Sequence, residues 1–201
     1  MAKYKIILAS NSPRRKELLS GLDCEFSVKV ISGIDESYPK DLPALEVAQY
    51  ISVKKAEAYM ASIAEDELVI TADTIVICDN RVLGKPQDAD EACSMLKMLS
   101  GRTHKVVTGV CLTTKDKQSQ FSVVTDVTFD NLTQDEIDYY IEKYHPYDKA
   151  GAYGIQEWIG YVGVTRLEGS YFNVMGFPVQ RVYKEIKKLG DPSLAHHDKT
   201  W

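Results

Sequence analysis

No run of the 201-residue sequence approaches the roughly 18 apolar residues of a membrane span. Its first residues, Met1-Ala2-Lys3-Tyr4-Lys5, lack the apolar core and cleavage site of a signal peptide, so a cytoplasmic location is expected. Cysteine is scarce. Cys24, Cys78, Cys93 and Cys111 form no CxxC pair and no Cys/His zinc spacing, which argues against disulfides and structural zinc. Three of them sit among apolar neighbours, the setting of core thiols. An excess of positive charge is missing too. At a formal net charge of -5 the chain is a poor general binder of nucleic acid. There is no GxSxG and no nucleophile paired with a histidine at recognisable spacing, which argues against serine-hydrolase and cysteine-protease chemistry. Gly84-Lys85 lacks the GxxxxGK[ST] frame of a Walker-type ATPase.

What is present starts near the N-terminus. Ile6-Ile7-Leu8-Ala9 reads as a strand running into Ser10-Asn11-Ser12-Pro13-Arg14-Arg15-Lys16. Ser12 and Pro13 suit the N-cap and first position of a helix, with Leu18, Leu19 and Leu22 as its apolar stripe. Arg14, Arg15 and Lys16 then fall in the first turn, beside the positive pole of the helix dipole, where cations are unfavourable. Backbone N–H groups at a helix start, ringed by Arg and Lys, make a site for a polyanion, so the segment points to a phosphorylated ligand. Three solvated charges on a surface helix is the competing reading.

Strand and helix signals alternate along the chain, which predicts an α/β fold. Residues 25–30 alternate like a short strand, and residues 32–39 are loop-like and acidic. A helix is expected from Ala44 to Ala61, with Leu45, Ala48, Ile51, Ala56 and Tyr59 on its apolar face. Residues 68–78 read as a buried strand and Asp79-Asn80 as a turn. Asp88 and Glu91 form a capping-box signal for a helix ending before Gly101. Residues 105–114 and 120–129 predict an antiparallel hairpin, and Thr133 with Glu136 opens a helix to about Lys143. A glycine-punctuated stretch leads to a final helix from Pro178 to Leu189. No repeat or linker divides the chain. One domain over residues 1–190 with interleaved lobes is expected, then a polar tail at 191–201 in which His196-His197 is read as frayed rather than metal-binding.

Four groups stand out chemically. Asp73 lies inside an apolar strand, where a carboxylate must be paired, hydrogen-bonded or bound to a metal. Ala72-Asp73-Thr74 suggests a strand kink or end that presents it. Asp35 and Glu36 lie in a loop and, with Asp73, offer hard oxygen ligands for Mg²⁺ or Mn²⁺. Lys54, Lys55 and Lys85 are compact charges suited to phosphate, although single lysines more often face solvent. In Lys149-Ala150-Gly151-Ala152-Tyr153-Gly154-Ile155-Gln156 two glycines permit close approach to a ligand, and the Gln156 amide can read a base edge. Ordinary turns explain such glycines equally well.

Five motifs in order resemble the Maf family of nucleoside triphosphate pyrophosphatases: residues 8–15, 72–76, 84–86, 99–104 and 148–156. The resemblance runs from Leu8 to about Pro178. It implies a mixed central sheet with flanking helices, of the inosine triphosphatase-like kind, and two lobes around a cleft. It implies cleavage of a nucleoside triphosphate to the monophosphate and pyrophosphate, with Asp73 as catalytic base. Arg14, Thr74 and Gln156 match the branch acting on dTTP and UTP; modified pyrimidine triphosphates would look alike in the sequence. Glu36, Lys55 and Lys85 match residues lining the family's cleft. On this reading Glu36 and Asp73 hold Mg²⁺ or Mn²⁺, and Ser10, Arg15, Lys55 and Lys85 bind phosphate. The expected partner is a nucleoside triphosphate, not nucleic acid or a membrane, and family members are often dimers. The alternative is a nucleotide-sensing regulator, linked to cell-division arrest, that binds without turnover.

Overall fold

The computed structural model describes residues 4–190, so the tail and its His196-His197 pair lie outside the described residues. Among the described residues seven strands form one mixed sheet in the order β2-β1-β3-β5-β6-β7, with β4 paired to β3. β1 (Lys5–Leu8) runs parallel to β2 (Phe26–Val28) and β3 (Glu67–Cys78). The partners β4 (Arg81–Leu83), β5 (Thr103–Thr113), β6 (Gln118–Phe129) and β7 (Val164–Glu168) pair antiparallel.

Period-two alternation gives β3 two working faces. On one, Ile75 and Ile77 pack with Val107 against Val47, Ala48 and Ile51 of α2 (Ala44–Glu57). On the other, Leu68, Ile70 and Ala72 join Leu19 of α1 (Pro13–Ser20) with Val182 and Ile186 of α7 (Val179–Lys188). Further along this face, Val76 and Val106 belong to a separate core with α3 (Ala89–Leu99) and α4 (Gln134–Tyr144). A polar seam divides the two cores. Thr74 Oγ1 lies 2.9 Å from Thr108 Oγ1, and Thr108 donates to the Asn173 carbonyl at 3.1 Å.

The edge of β3 is where the site begins. β1 covers it from Glu67 to Ile70, and β4 covers it from Val76 to Cys78. Residues 71–75 have no strand partner on that side, while β5 pairs them on the other. The chain leaves β1 at this gap and turns into α1. Ser12 caps the helix by accepting from Arg15 N at 3.4 Å, and Pro13 is its first residue, as expected.

Several local expectations hold and others need correction. Asp79 and Asn80 both have positive φ, the backbone of a tight hairpin turn between β3 and β4. Thr133 and Glu136 form a complete reciprocal capping box. At α3 only half forms: Asp88 accepts from Glu91 N, but Glu91 accepts from Gln87 N instead of Asp88 N. α2 ends at Glu57, not Ala61, and Leu45 is exposed. Tyr59 is buried beyond the helix because its hydroxyl donates to Lys29 O and accepts from Ile31 N, both at 2.9 Å. The glycine-rich stretch is not featureless. It contains α5 (Trp158–Gly163), β7 and α6 (Tyr171–Val174). Asp73 sits mid-strand, paired with Gly109, rather than at a kink or end; the open edge exposes it instead.

Gly109 is needed for that geometry. A Cβ there meets the Ala48 backbone of α2 at 2.3 Å. Gly109→Ala is expected to push α2 off the sheet and to lower stability by about 1–3 kcal/mol, as overpacking does. Urea denaturation checks this; an unchanged midpoint contradicts the close packing.

Candidate active site

The gap in β3 opens into a cleft of two compartments that share Ser12, Arg14, Arg15, Lys55, Lys85 and Asp148. One, of about 110 Å³, is closed by Thr74, Val76, Tyr153, Gln156 and Met175. The other, of about 450 Å³, runs over Ser10, Asn11, Gly33 and Glu36.

Asp73 lines the smaller compartment beside Lys55, which lines both, with 14% of its side chain exposed. Burial raises its carboxyl above the ordinary pKa, while Lys55 opposes the shift. Lys55 comes from the last turn of α2, with Nζ 2.8 Å from Asp73 Oδ1 and 2.9 Å from Glu36 Oε1. Asp73 Oδ2 has no hydrogen-bond partner among the described residues. Asp35 leaves this group: it accepts from Lys54 at 2.7 Å and from Ser37.

The cations of the first helical turn separate. Arg14 Nη1 lies 2.9 Å from Asp148 Oδ2 on the opposite wall. Lys149 is 2.7 Å from Asp148 Oδ1 and 3.1 Å from Glu157 Oε1. Glu157 accepts from the Tyr140 hydroxyl, which itself accepts from Gly154 N at 3.0 Å. Arg15 is wedged into the gap. It donates to Gly176 O and Ala72 O at 2.9 Å, to Thr74 Oγ1 at 3.1 Å and to Ser10 Oγ at 3.4 Å. These contacts fix the Arg15 guanidinium and Ser10 in the wall of the cleft. Lys16 lines neither compartment. Lys85 is exposed at the cleft and makes no ion pair among the described residues.

Gln156 reaches the smaller compartment with its Oε1 buried and accepting no hydrogen bond. A Cβ on Gly154 would stand 2.9 Å from Gln156 Nε2 and about as close to Glu157, so this glycine makes room for the amide. Thr74 is held by Arg15 and Thr108.

Residues 5–189 match the Maf-like protein family. This chain belongs to the Maf family. A dTTP/UTP pyrophosphatase of Phocaeicola vulgatus is 61% identical over 94% of this chain and 98% of its own length. Proteins of the same name from Parabacteroides distasonis and Bacteroides thetaiotaomicron are 58% and 56% identical, each over 93% of this chain and 97% of their own length. A solved HAM1 protein from Coxiella burnetii aligns with 92% of this chain and 99% of its own, at a TM-score of 0.42 and 13% identity.

The structure thus brings Ser10, Arg14, Arg15, Glu36, Lys55, Asp73, Thr74, Lys85 and Gln156 of this Maf protein to one cleft. Sequence reasoning assigned no role to Asp148 or Lys149, which also line it. Their only signal was membership of the motif at 148–156, since adjacent opposite charges usually pair in solvent.

Behind the smaller compartment, buried His104 touches the Tyr153 hydroxyl through Nε2 at 2.7 Å and packs edge-on against Phe129 and Tyr153. Burial lowers its pKa from 6.5 to about 4. As pH falls below 6.5 the unfolded chain takes up the proton first, so stability present at neutral pH is lost down to about pH 4. The expected loss at pH 4.5 is about 2–3 kcal/mol. Urea unfolding of wild type and His104→Gln at pH 7 and 4.5 checks this; equal pH dependence in both contradicts it.

Proposed function

We propose that this chain is a metal-dependent nucleoside triphosphate pyrophosphatase that cleaves dTTP and UTP to the monophosphate and pyrophosphate. One observation carries the reading: the largely buried Asp73 carboxylate shares the smaller compartment with Gln156, beside Arg14, Lys55 and Lys85, which line both compartments. The names of the close Maf relatives support the substrate class. A cytoplasmic location suits an enzyme with four free thiols.

The polar compartment suits the base. Thymine and uracil carry an N3–H donor between two carbonyls. The unpartnered Gln156 Oε1 accepts from that N–H, and Nε2 donates to a carbonyl. Val76, Val106 and Met175 supply the apolar walls. The phosphates then lie toward Arg14, Lys55 and Lys85, with Ser10 and Arg15 shaping their loop.

Glu36 and Asp73 fit Mg²⁺ or Mn²⁺, because both are carboxylates within reach of a single ammonium. Among the described residues no group of three His, Cys, Asp or Glu could hold a metal ion, so Glu36 and Asp73 would hold it only together with substrate or water oxygens. When bound, the cation neutralises charge on the phosphates. Asp73 orients the attacking water and takes its proton at Oδ2, the oxygen left free by Lys55. Arg14, Lys55 and Lys85 stabilise the departing pyrophosphate.

Asp73→Asn is expected to fold and to lower kcat with dTTP about 10²–10⁴-fold. Near-native pyrophosphate release overturns the catalytic assignment, and tight nucleotide binding by a wild type without turnover would favour a sensor. Gln156→Ala is expected to reduce the kcat/KM preference for dTTP over GTP by about tenfold or more. Unchanged relative rates across dTTP, UTP, GTP and ATP contradict the role given to the amide.

A further inference from the structure

One ammonium holds both carboxylates that the proposed reaction assigns to the divalent cation. Lys55 Nζ is 2.8 Å from Asp73 Oδ1 and 2.9 Å from Glu36 Oε1. The Lys55 side chain is 15% exposed and Asp73 14%, so the last turn of α2 delivers this charge to a largely buried point. Glu36, at 55%, closes it from the solvent side. Mg²⁺ demands ligands at about 2.0–2.1 Å in near-octahedral array. An ammonium between the two carboxylates fills that space and repels a second cation. It also keeps the Asp73 carboxylate from standing uncompensated in a buried site.

We infer that Lys55 is an internal stand-in for the divalent cation. Without nucleotide it occupies Glu36 and Asp73, and the metal enters only together with a triphosphate. The inference rests on the pyrophosphatase reading. Lysine suits the exchange because its charge is compact and its stem flexible. Phosphate oxygens offer Lys55 a new anionic partner as they arrive. Its departure frees both carboxylates at once, for the cation the phosphates bring. Lys85 makes the first contact, because no ion pair has to break to release it. The same competition does not arise at Arg14, whose partner Asp148 is shared with Lys149 on the far wall.

Titration of nucleotide-free protein with Mn²⁺, reading free ion by electron paramagnetic resonance, tests this. Wild type is expected to bind only at millimolar concentration. Lys55→Met and Lys55→Gln are expected to bind at least about tenfold tighter, the divalent ion replacing the lost countercharge. Mn²⁺ should also raise the melting temperature of these variants more than that of wild type. Adding Asp73→Asn to Lys55→Met should abolish the gain. A low-micromolar Mn²⁺ site in nucleotide-free wild type, or Lys55→Met binding no tighter than wild type, overturns the inference. Failure of wild type to release pyrophosphate from dTTP with any divalent metal overturns the pyrophosphatase reading instead, and leaves the titration to decide the role of Lys55.

Discussion

β3 is twelve residues long, yet on its β1 side only its two ends are paired. The five residues between must find other partners for their backbone or leave it open to a ligand. Arg15 answers part of that demand by donating to the Ala72 carbonyl, and the same guanidinium ties in Thr74 and Gly176. The gap also defeats the alternation that normally separates neighbouring strand residues. Asp73 and Thr74 point to opposite faces of the sheet, yet both line one compartment, because the cleft passes through the missing edge. Every functional assignment above depends on that interruption. The residues that enforce it are the short β1, the Ser12 cap that turns the chain away, and the Asp79-Asn80 turn that brings β4 in late.

Most of the cleft's charges are paired before any ligand arrives. Arg14 and Lys149 share Asp148, Lys149 also meets Glu157, and Lys55 spans Glu36 and Asp73. Apart from Lys85, a polyanion therefore exchanges partners with cations that are already paired or hydrogen-bonded. The partly exposed pairs contribute little net stability, and the largely buried Lys55–Asp73 pair is offset by its desolvation cost, so their place in the cleft reads as preorganisation of donors. It also fits a chain whose overall charge is negative. Local arrangement, not net charge, makes the site receptive to phosphate.

Much of this was legible from residue order. Ser12-Pro13 and Thr133-Glu136 are local chemistry, and each cap forms as read. Asp73 declared itself as a carboxylate in an apolar strand, since such a group requires a reason. Features set by distant contacts were not legible. Arg15 lines the cleft as expected, but its bonds to the carbonyls of residues 72 and 176 are announced by no local pattern. Asp35 and Glu36 are adjacent and look equivalent, but Lys54 and Lys55 divide them. Leu45 fits a helical apolar stripe but faces solvent, because α2 packs through Val47, Ala48, Ile51 and Ser52 and stops at Glu57. Glycines at 151–176 masked a strand and two helices, since turn signals and close-approach signals use the same residue.

The central claim is that the interrupted edge of β3 aims an Asp73-activated water at the α-phosphorus of a pyrimidine triphosphate. Hydrolysis of dTTP in ¹⁸O-labelled water, with mass analysis of the products, tests it most directly. The account predicts one ¹⁸O in the thymidine monophosphate and unlabelled pyrophosphate. Label in pyrophosphate or orthophosphate would place the attack on another phosphorus and contradict it.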